Sequence, residues 1–186
     1  MIYRRPGHTP PATAPILETE RLRLRPVALA DFEACFDIWN DPDVYRYAGG
    51  KPRTRPSIWT KLQIMTGHWA LAGYGYWAVE ERATGAYLGE IGLQDALRGM
   101  IEAVKGLPEA GWGLASAVHG RGLGTEGLAA VFDWIDTHLD APACWAMIDP
   151  ENAPSLRLAE RFGFKRETDT VYEGEAVRIF LRPRGG

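Results

Sequence analysis

Between residues 109 and 148 the hydrophobic pattern changes period twice, and this constrains the fold more than any other feature. A strand-like run at 109–115 leads into His119-Gly120-Arg121-Gly122-Leu123-Gly124-Thr125-Glu126. Leu128, Val131, Phe132, Ile135 and Leu139 then recur at helical spacing, and 143–148 is again a short apolar strand. Strand, glycine-rich turn, helix and strand make one βαβ unit, which puts the chain among the α/β folds.

The rest of the chain fits around that unit. Residues 20–25 alternate, with Leu22 and Leu24 on one face and Arg21, Arg23 and Arg25 on the other, as a half-buried strand does. Phe32, Cys35, Phe36 and Trp39 have helical spacing and stop at Asn40-Asp41-Pro42. Ile58, Leu62, Met65 and Trp69 repeat that spacing after a capping Thr54. Residues 74–81 and 87–93 are β-prone runs joined through Arg82-Ala83-Thr84-Gly85, an antiparallel hairpin. Residues 95–108 read as a longer connection, helical in part. A helix over 154–162 stops at Gly163, and two strands flank Glu173-Gly174-Glu175. The expected architecture is α/β with a mixed sheet. Residues 1–15 lack apolar periodicity and read as a flexible arm, leaving 16–186 as one domain.

Composition removes several function classes. The formal charge is −3 and the 21 basic residues are scattered, so no footprint for nucleic acid is visible. Cys35 and Cys144 have neither paired spacing nor nearby histidines, so they read as reduced core residues and no metal is expected. No run approaches the ~20 apolar residues of a membrane span, and the start lacks a signal-peptide core, so a cytoplasmic location without membrane contact is expected.

The turn at 119–126 carries the chemistry. At a helix start, free backbone N–H groups and the positive end of the helix converge on an anion, and glycines let a phosphate approach closely. Arg121 adds charge, whereas the missing Gly-Lys-Ser/Thr ending excludes a P-loop. Gly122-Leu123-Gly124-Thr125-Glu126-Gly127 also matches the dinucleotide fingerprint, with Asp149 at the end of the next strand, so a nicotinamide-dependent oxidoreductase is the alternative. Against it, a hairpin precedes the turn and too few residues follow Asp149 for further βα units.

His119-Gly120-Arg121-Gly122-Leu123-Gly124 resembles the Arg/Gln-x-x-Gly-x-Gly/Ala signature of the GNAT superfamily, with histidine in the first position. Thr125-Glu126, the opening run Glu18-Thr19-Glu20-Arg21-Leu22-Arg23-Leu24-Arg25, and Leu88-Gly89-Glu90-Ile91-Gly92-Leu93 are similar to its RimJ/RimL-like branch. So are Asn152-Ala153-Pro154-Ser155 and Arg161-Phe162-Gly163-Phe164. The resemblance implies a GNAT fold with a mixed central sheet of about six to seven strands flanked by about four helices.

The resemblance also implies an N-acetyltransferase that uses acetyl-CoA and no metal, passing the acetyl group directly to the primary amine of a protein N-terminus or small molecule. The pyrophosphate would lie on His119, Gly120, Arg121, Gly122, Leu123, Gly124 and Thr125. Pantetheine would pair like a strand with Trp112, Gly113, Leu114 and Ala115 beside a V-shaped opening, helped by Asn152. Glu109 is the preferred base and Glu90 the second choice, while Ser155 would protonate the leaving sulfur. Ala159 stands where many members have a tyrosine acid. Trp39, Tyr45, Tyr47, Trp59 and Trp69 offer aromatic walls for the acceptor. A CoA-binding module without catalysis is a further alternative, and association as a homodimer stays open.

Overall fold

The computed structural model describes residue 3 and residues 9–98 and 101–186. Its strands are β1 (Leu17–Glu18), β2 (Leu22–Arg25), β3 (Tyr76–Glu81), β4 (Tyr87–Gln94), β5 (Glu109–Leu114), β6 (Ala143–Ile148), β7 (Lys165–Tyr172) and β8 (Glu175–Pro183). Its helices are α1 (Phe32–Trp39), α2 (Pro42–Tyr45), α3 (Arg55–Ala72), α4 (Leu123–His138) and α5 (Ala153–Arg161). The strands form one mixed sheet in the order β1-β2-β3-β4-β5-β6-β8-β7.

The sequence pattern missed β1 and α2 because two residues and one turn are too short to show a period. Asp41-Pro42 does stop α1, and it also starts α2: the Asp41 carboxylate accepts from the Asp43 N–H at 2.9 Å, and proline occupies the first turn. Other local signals hold. Thr54 caps α3 through the Ser57 N–H, and Gly73, at φ 78°, ends it. The connection at 95–108 contains one 3₁₀ turn, Glu102–Val104, and its residues 99–100 lie outside the described set.

Residues 1–2 and 4–8 of the expected arm lie outside the described set. Of its last residues, Ala14 is buried and the Trp77 indole donates to the Pro15 carbonyl at 2.7 Å, so that end is packed on the core.

Every adjacent strand pair is antiparallel except β5 with β6. β5 stays on β4 throughout, from Gln94 opposite Glu109 to Gly89 opposite Leu114. β6 meets β5 at one register pair, Glu109 with Trp145, and otherwise follows β8 along its whole length. The two parallel strands therefore diverge past Glu109 and leave a V-shaped gap. The Trp145 N–H donates to the Pro108 carbonyl at 3.0 Å, while the Ala115 N–H turns the other way, to Leu88. Because backbone groups alternate sides along a strand, those of Ala110, Trp112 and Leu114 face the gap.

The two faces of β4 and β5 meet different helices. Ile91 faces α4, whose Leu128, Val131, Phe132 and Ile135 are buried on the helix face expected from spacing. Burying each such side chain contributes about 1.5–3 kcal/mol. Trp69, Trp77 and Trp134 meet edge to face in the same cluster, with centroids 4.6–5.5 Å apart. Glu90, one residue along, faces α1 and α3 instead. Cys35 and Cys144 are buried, and burial pushes both thiols up to about 12. Among the described residues, no helix is long and apolar enough to cross a membrane.

Candidate active site

The glycine turn sits at the open end of the gap. After β5 a 3₁₀ turn, Ser116–Val118, leads to Gly120 and Gly122, at φ 76° and 77°. That conformation costs an L side chain about 1–2 kcal/mol, so glycine is required where the chain reverses into α4. Gly122 is the N-cap residue and no side chain caps the helix, so the first amides, those of Leu123, Gly124 and Thr125, stay open to an anion.

Glu126, in the first turn, would oppose such an anion, but it is turned toward β2. Its carboxylate accepts from the Thr19 hydroxyl (2.5 Å), the Arg21 N–H (2.8 Å) and Arg21 Nε (2.6 Å). Burial raises its pKa, and these donors outweigh burial and hold the carboxyl below its usual range. Arg21 Nη1 also donates to the Arg121 carbonyl at 2.9 Å. Arg121, expected to add charge at the loop, pairs with Glu81 at 2.7 Å. Arg21 was read only as the solvent face of a strand, yet it braces the loop.

The strand end beside the gap is also tied down. The His119 Nε2–H donates to the Leu114 carbonyl at 3.0 Å. The Ser116 hydroxyl donates to Asp41, and with the Asp43 N–H it holds that carboxyl below its usual range. Across the gap, Asn152 caps α5 by accepting from the Ser155 N–H at 3.1 Å, which commits its oxygen and leaves its amide nitrogen as donor. The Trp112 indole donates to Ser155 Oγ at 3.1 Å. That bond fixes the serine oxygen and leaves its O–H proton to be given elsewhere. The Trp112–Ser155 contact joins two predicted site residues in a way that spacing alone does not reveal.

The opposite face of β5 carries a row of Glu109, Gly111 and Gly113. Glu90 lies opposite Gly113, and Gly92 lies opposite Gly111 with Tyr76 beyond it on β3. Glu90 is 1% exposed and accepts from Trp39 Nε1 (2.7 Å), the Tyr87 hydroxyl (2.5 Å) and Lys61 Nζ (2.8 Å). Lys61 Nζ also lies 4.4 Å from the centre of the Trp39 ring, a cation–π contact. Glu109 accepts from Arg98 Nε (2.7 Å) and Nη2 (3.2 Å), while Arg98 Nη1 donates to the Tyr172 hydroxyl at 2.6 Å.

Both carboxylates nominated as bases thus share one face, each with a cationic partner, as buried charges require. The two glycines keep this face open: a Cβ at Gly113 would press on Trp39 at 3.3 Å, and one at Gly111 would collide with the Tyr76 hydroxyl. Of the expected aromatic walls, Trp39 reaches the row. Trp69 is core, Trp59 packs edge-on against Phe32, Tyr45 lies in α2, and Tyr47 stacks under Arg46. Lys61, Tyr76, Tyr87, Arg98 and Tyr172 went unrecognised in the sequence because no spacing links them; sheet register and α3 bring them together.

The dinucleotide alternative gains no support. Among the described residues β5 and β6 are the single parallel pair, and after Asp149 come α5 and an antiparallel hairpin rather than further βα units. The Asp149 carboxylate accepts from the Glu151 N–H at 2.7 Å, within the turn.

Known proteins agree with this geometry. The model of the acetyltransferase (GNAT) domain matches residues 21–165. An N-acetyltransferase of Bacillus licheniformis named p20, carried as uncharacterized, is 29% identical over 81% of this chain and 83% of its own length. The structure of a protein assigned to the GnaT-family acetyltransferases of Bordetella pertussis superposes with TM-score 0.80 at 33% identity, covering 91% of this chain and 99% of that one. The structure of an acetyltransferase from Agrobacterium tumefaciens gives TM-score 0.77 at 30% identity, covering 91% and 94%. With the split sheet, the uncapped start of α4 and these likenesses together, the chain belongs to the GNAT acetyltransferases, which move an acetyl group from acetyl-CoA to an amine.

Proposed function

We propose that residues 16–186 form one cytoplasmic catalytic domain of the RimJ/RimL-like branch that acetylates the primary amine of a protein N-terminus or small molecule. The motifs at 18–25, 88–93, 152–155 and 161–164 support the branch. The observation that carries the reading is the junction of two openings: the gap between β5 and β6 runs directly into the uncapped start of α4. The diphosphate of acetyl-CoA would rest on the amides of Leu123, Gly124 and Thr125, beside Gly120 and Gly122. Pantetheine would pair with the gap-facing backbone of Trp112 and Leu114, continuing the sheet as a strand does.

The acceptor approaches along the Glu109, Gly111, Gly113 face. Its nitrogen attacks the thioester carbon, the C–N bond forms, and collapse of the tetrahedral intermediate breaks the C–S bond. Ser155, held by Trp112, gives its proton to the departing thiolate. Glu109 takes the proton from the amine once the acceptor competes successfully with Arg98 for its oxygens. Glu90, saturated by Trp39, Tyr87 and Lys61, holds Trp39 and Lys61 in place at the edge of the row.

Calorimetry with acetyl-CoA, CoA, NADH and NADPH tests the donor, and thiol release across a panel of amines tests catalysis. Micromolar binding of the CoA species alone, with thiol release dependent on an amine, is expected. Preference for a nicotinamide would overturn the donor assignment, and CoA binding without turnover would leave a binding module.

A further inference from the structure

We infer that the Tyr76 hydroxyl hydrogen-bonds the thioester carbonyl oxygen and steadies the oxyanion, a catalytic role that rests on the placement of acetyl-CoA proposed above. Tyr76, Gly92 and Gly111 form one cross-strand row over β3, β4 and β5. Neighbouring strands lie about 4.8 Å apart, so a side chain rooted on β3 reaches β5 only if nothing stands between. Two glycines clear that path, and the hydroxyl arrives directly over Gly111. Gly111 is one residue from Trp112, whose backbone faces the gap.

Of the other tyrosines of this face, Tyr87 has spent its O–H on Glu90, and Tyr172 is held by Arg98 at the far end of the row, beside Glu109. Tyr76 is half-buried, and among the described residues its hydroxyl has no hydrogen-bond partner. An unspent O–H that arrives over Gly111 is free to donate to an acceptor atom entering along this face. Burial first, then the nearby Glu109 and Glu90 carboxylates, raises its pKa far above the ordinary range, so the group stays an O–H donor at every working pH. On α5, where a tyrosine acid would be expected, Ala159 is fully buried and offers nothing.

The step balances without further reagents. As the amine lone pair forms the C–N bond, the carbonyl π pair moves onto oxygen, where Tyr76 donates a hydrogen bond and keeps its proton. Collapse restores the carbonyl and expels the thiolate, which Ser155 protonates; the proton that Glu109 took from the amine returns through water to the Ser155 oxygen.

Tyr76→Phe removes only the hydroxyl. Losing one oxyanion donor costs on the order of 100-fold in kcat, and that loss is expected with unchanged acetyl-CoA affinity and melting temperature. The spectroscopic readout is the carbonyl stretch of acetyl-CoA labelled with carbon-13 at the acetyl carbonyl. Bound to the wild type it should fall in frequency, and bound to Tyr76→Phe it should return toward its solution value. An identical stretch in both proteins, or an undiminished kcat, overturns the role. Failure of the wild type itself to bind acetyl-CoA would instead overturn the placement beneath it.

Discussion

The two sides of the gap are built by opposite means. On the loop side, one contiguous stretch of seven residues, 119–125, presents backbone amides at a helix start. On the acceptor side, α1, α3, β3, β4, β5, β7 and the 95–108 connection each contribute a side chain or a gap between side chains. The first needs only local conformation, which glycine and the missing cap dictate. The second exists only when the strands take the right register, because a shift of one residue would send Glu90, Gly111 and Glu109 to the other face. A site made of backbone is therefore local and portable, and a site made of side chains belongs to the whole sheet.

The sharpest way to break that contrast is to damage the loop alone. Gly122→Glu and Gly124→Glu place bulk and negative charge where the diphosphate must lie, and Gly122 further resists any side chain at φ 77°. Acetyl-CoA affinity should fall by about 100-fold or more, roughly 2.7 kcal/mol. Circular dichroism should show the fold retained. Unchanged affinity in both variants would mean that the loop does not hold the donor.

Legibility in the sequence divides along the same line. The helix faces of α3 and α4, the Thr54 cap, the hairpin at Gly85 and the 119–125 turn were all readable, since each depends on residues a few positions apart. The carboxylates Glu90 and Glu109 were readable as candidates, but their partners Lys61 and Arg98 lie in segments with no pattern pointing at them. Arg21 was misjudged for the same reason: alternation places it on the outer face of β2, and only the docking of α4 turns that face toward the loop. Tyr76 is the extreme case, since its meaning comes from two glycines on two other strands.

A smaller effect sharpens the chemical division. Ser155→Ala removes the hydroxyl that Trp112 orients while leaving the cap at Asn152 intact, because that cap uses the Ser155 backbone N–H. The kcat should fall by roughly 100-fold, the lower end for a positioned acid, and acetyl-CoA affinity should hold. Equal losses in kcat and affinity would show Ser155 to be part of donor binding and not of proton transfer.

The smallest expected effect tests whether the loop is as self-contained as it looks. Glu126 ties the α4 start to the turn between β1 and β2, through Thr19 and Arg21. Its folded pKa is depressed, so its contribution to stability is present above the unfolded value near 4.5 and is lost as pH falls through the folded value. Glu126→Gln keeps the shape and removes the charge. With Arg21 44% exposed at the side chain, the loss at pH 7 should be only about 1 kcal/mol. Thermal melts of wild type and variant should then converge as pH drops below about 4.5; a gap that ignores pH would place the stabilisation in shape and not in charge. Acetyl-CoA affinity at pH 7 should be nearly the same in both proteins, since the amides of Leu123, Gly124 and Thr125 need no help from β2. If affinity falls along with stability, the clasp on β2 is part of the anion site, and the local side of the contrast depends on the sheet after all.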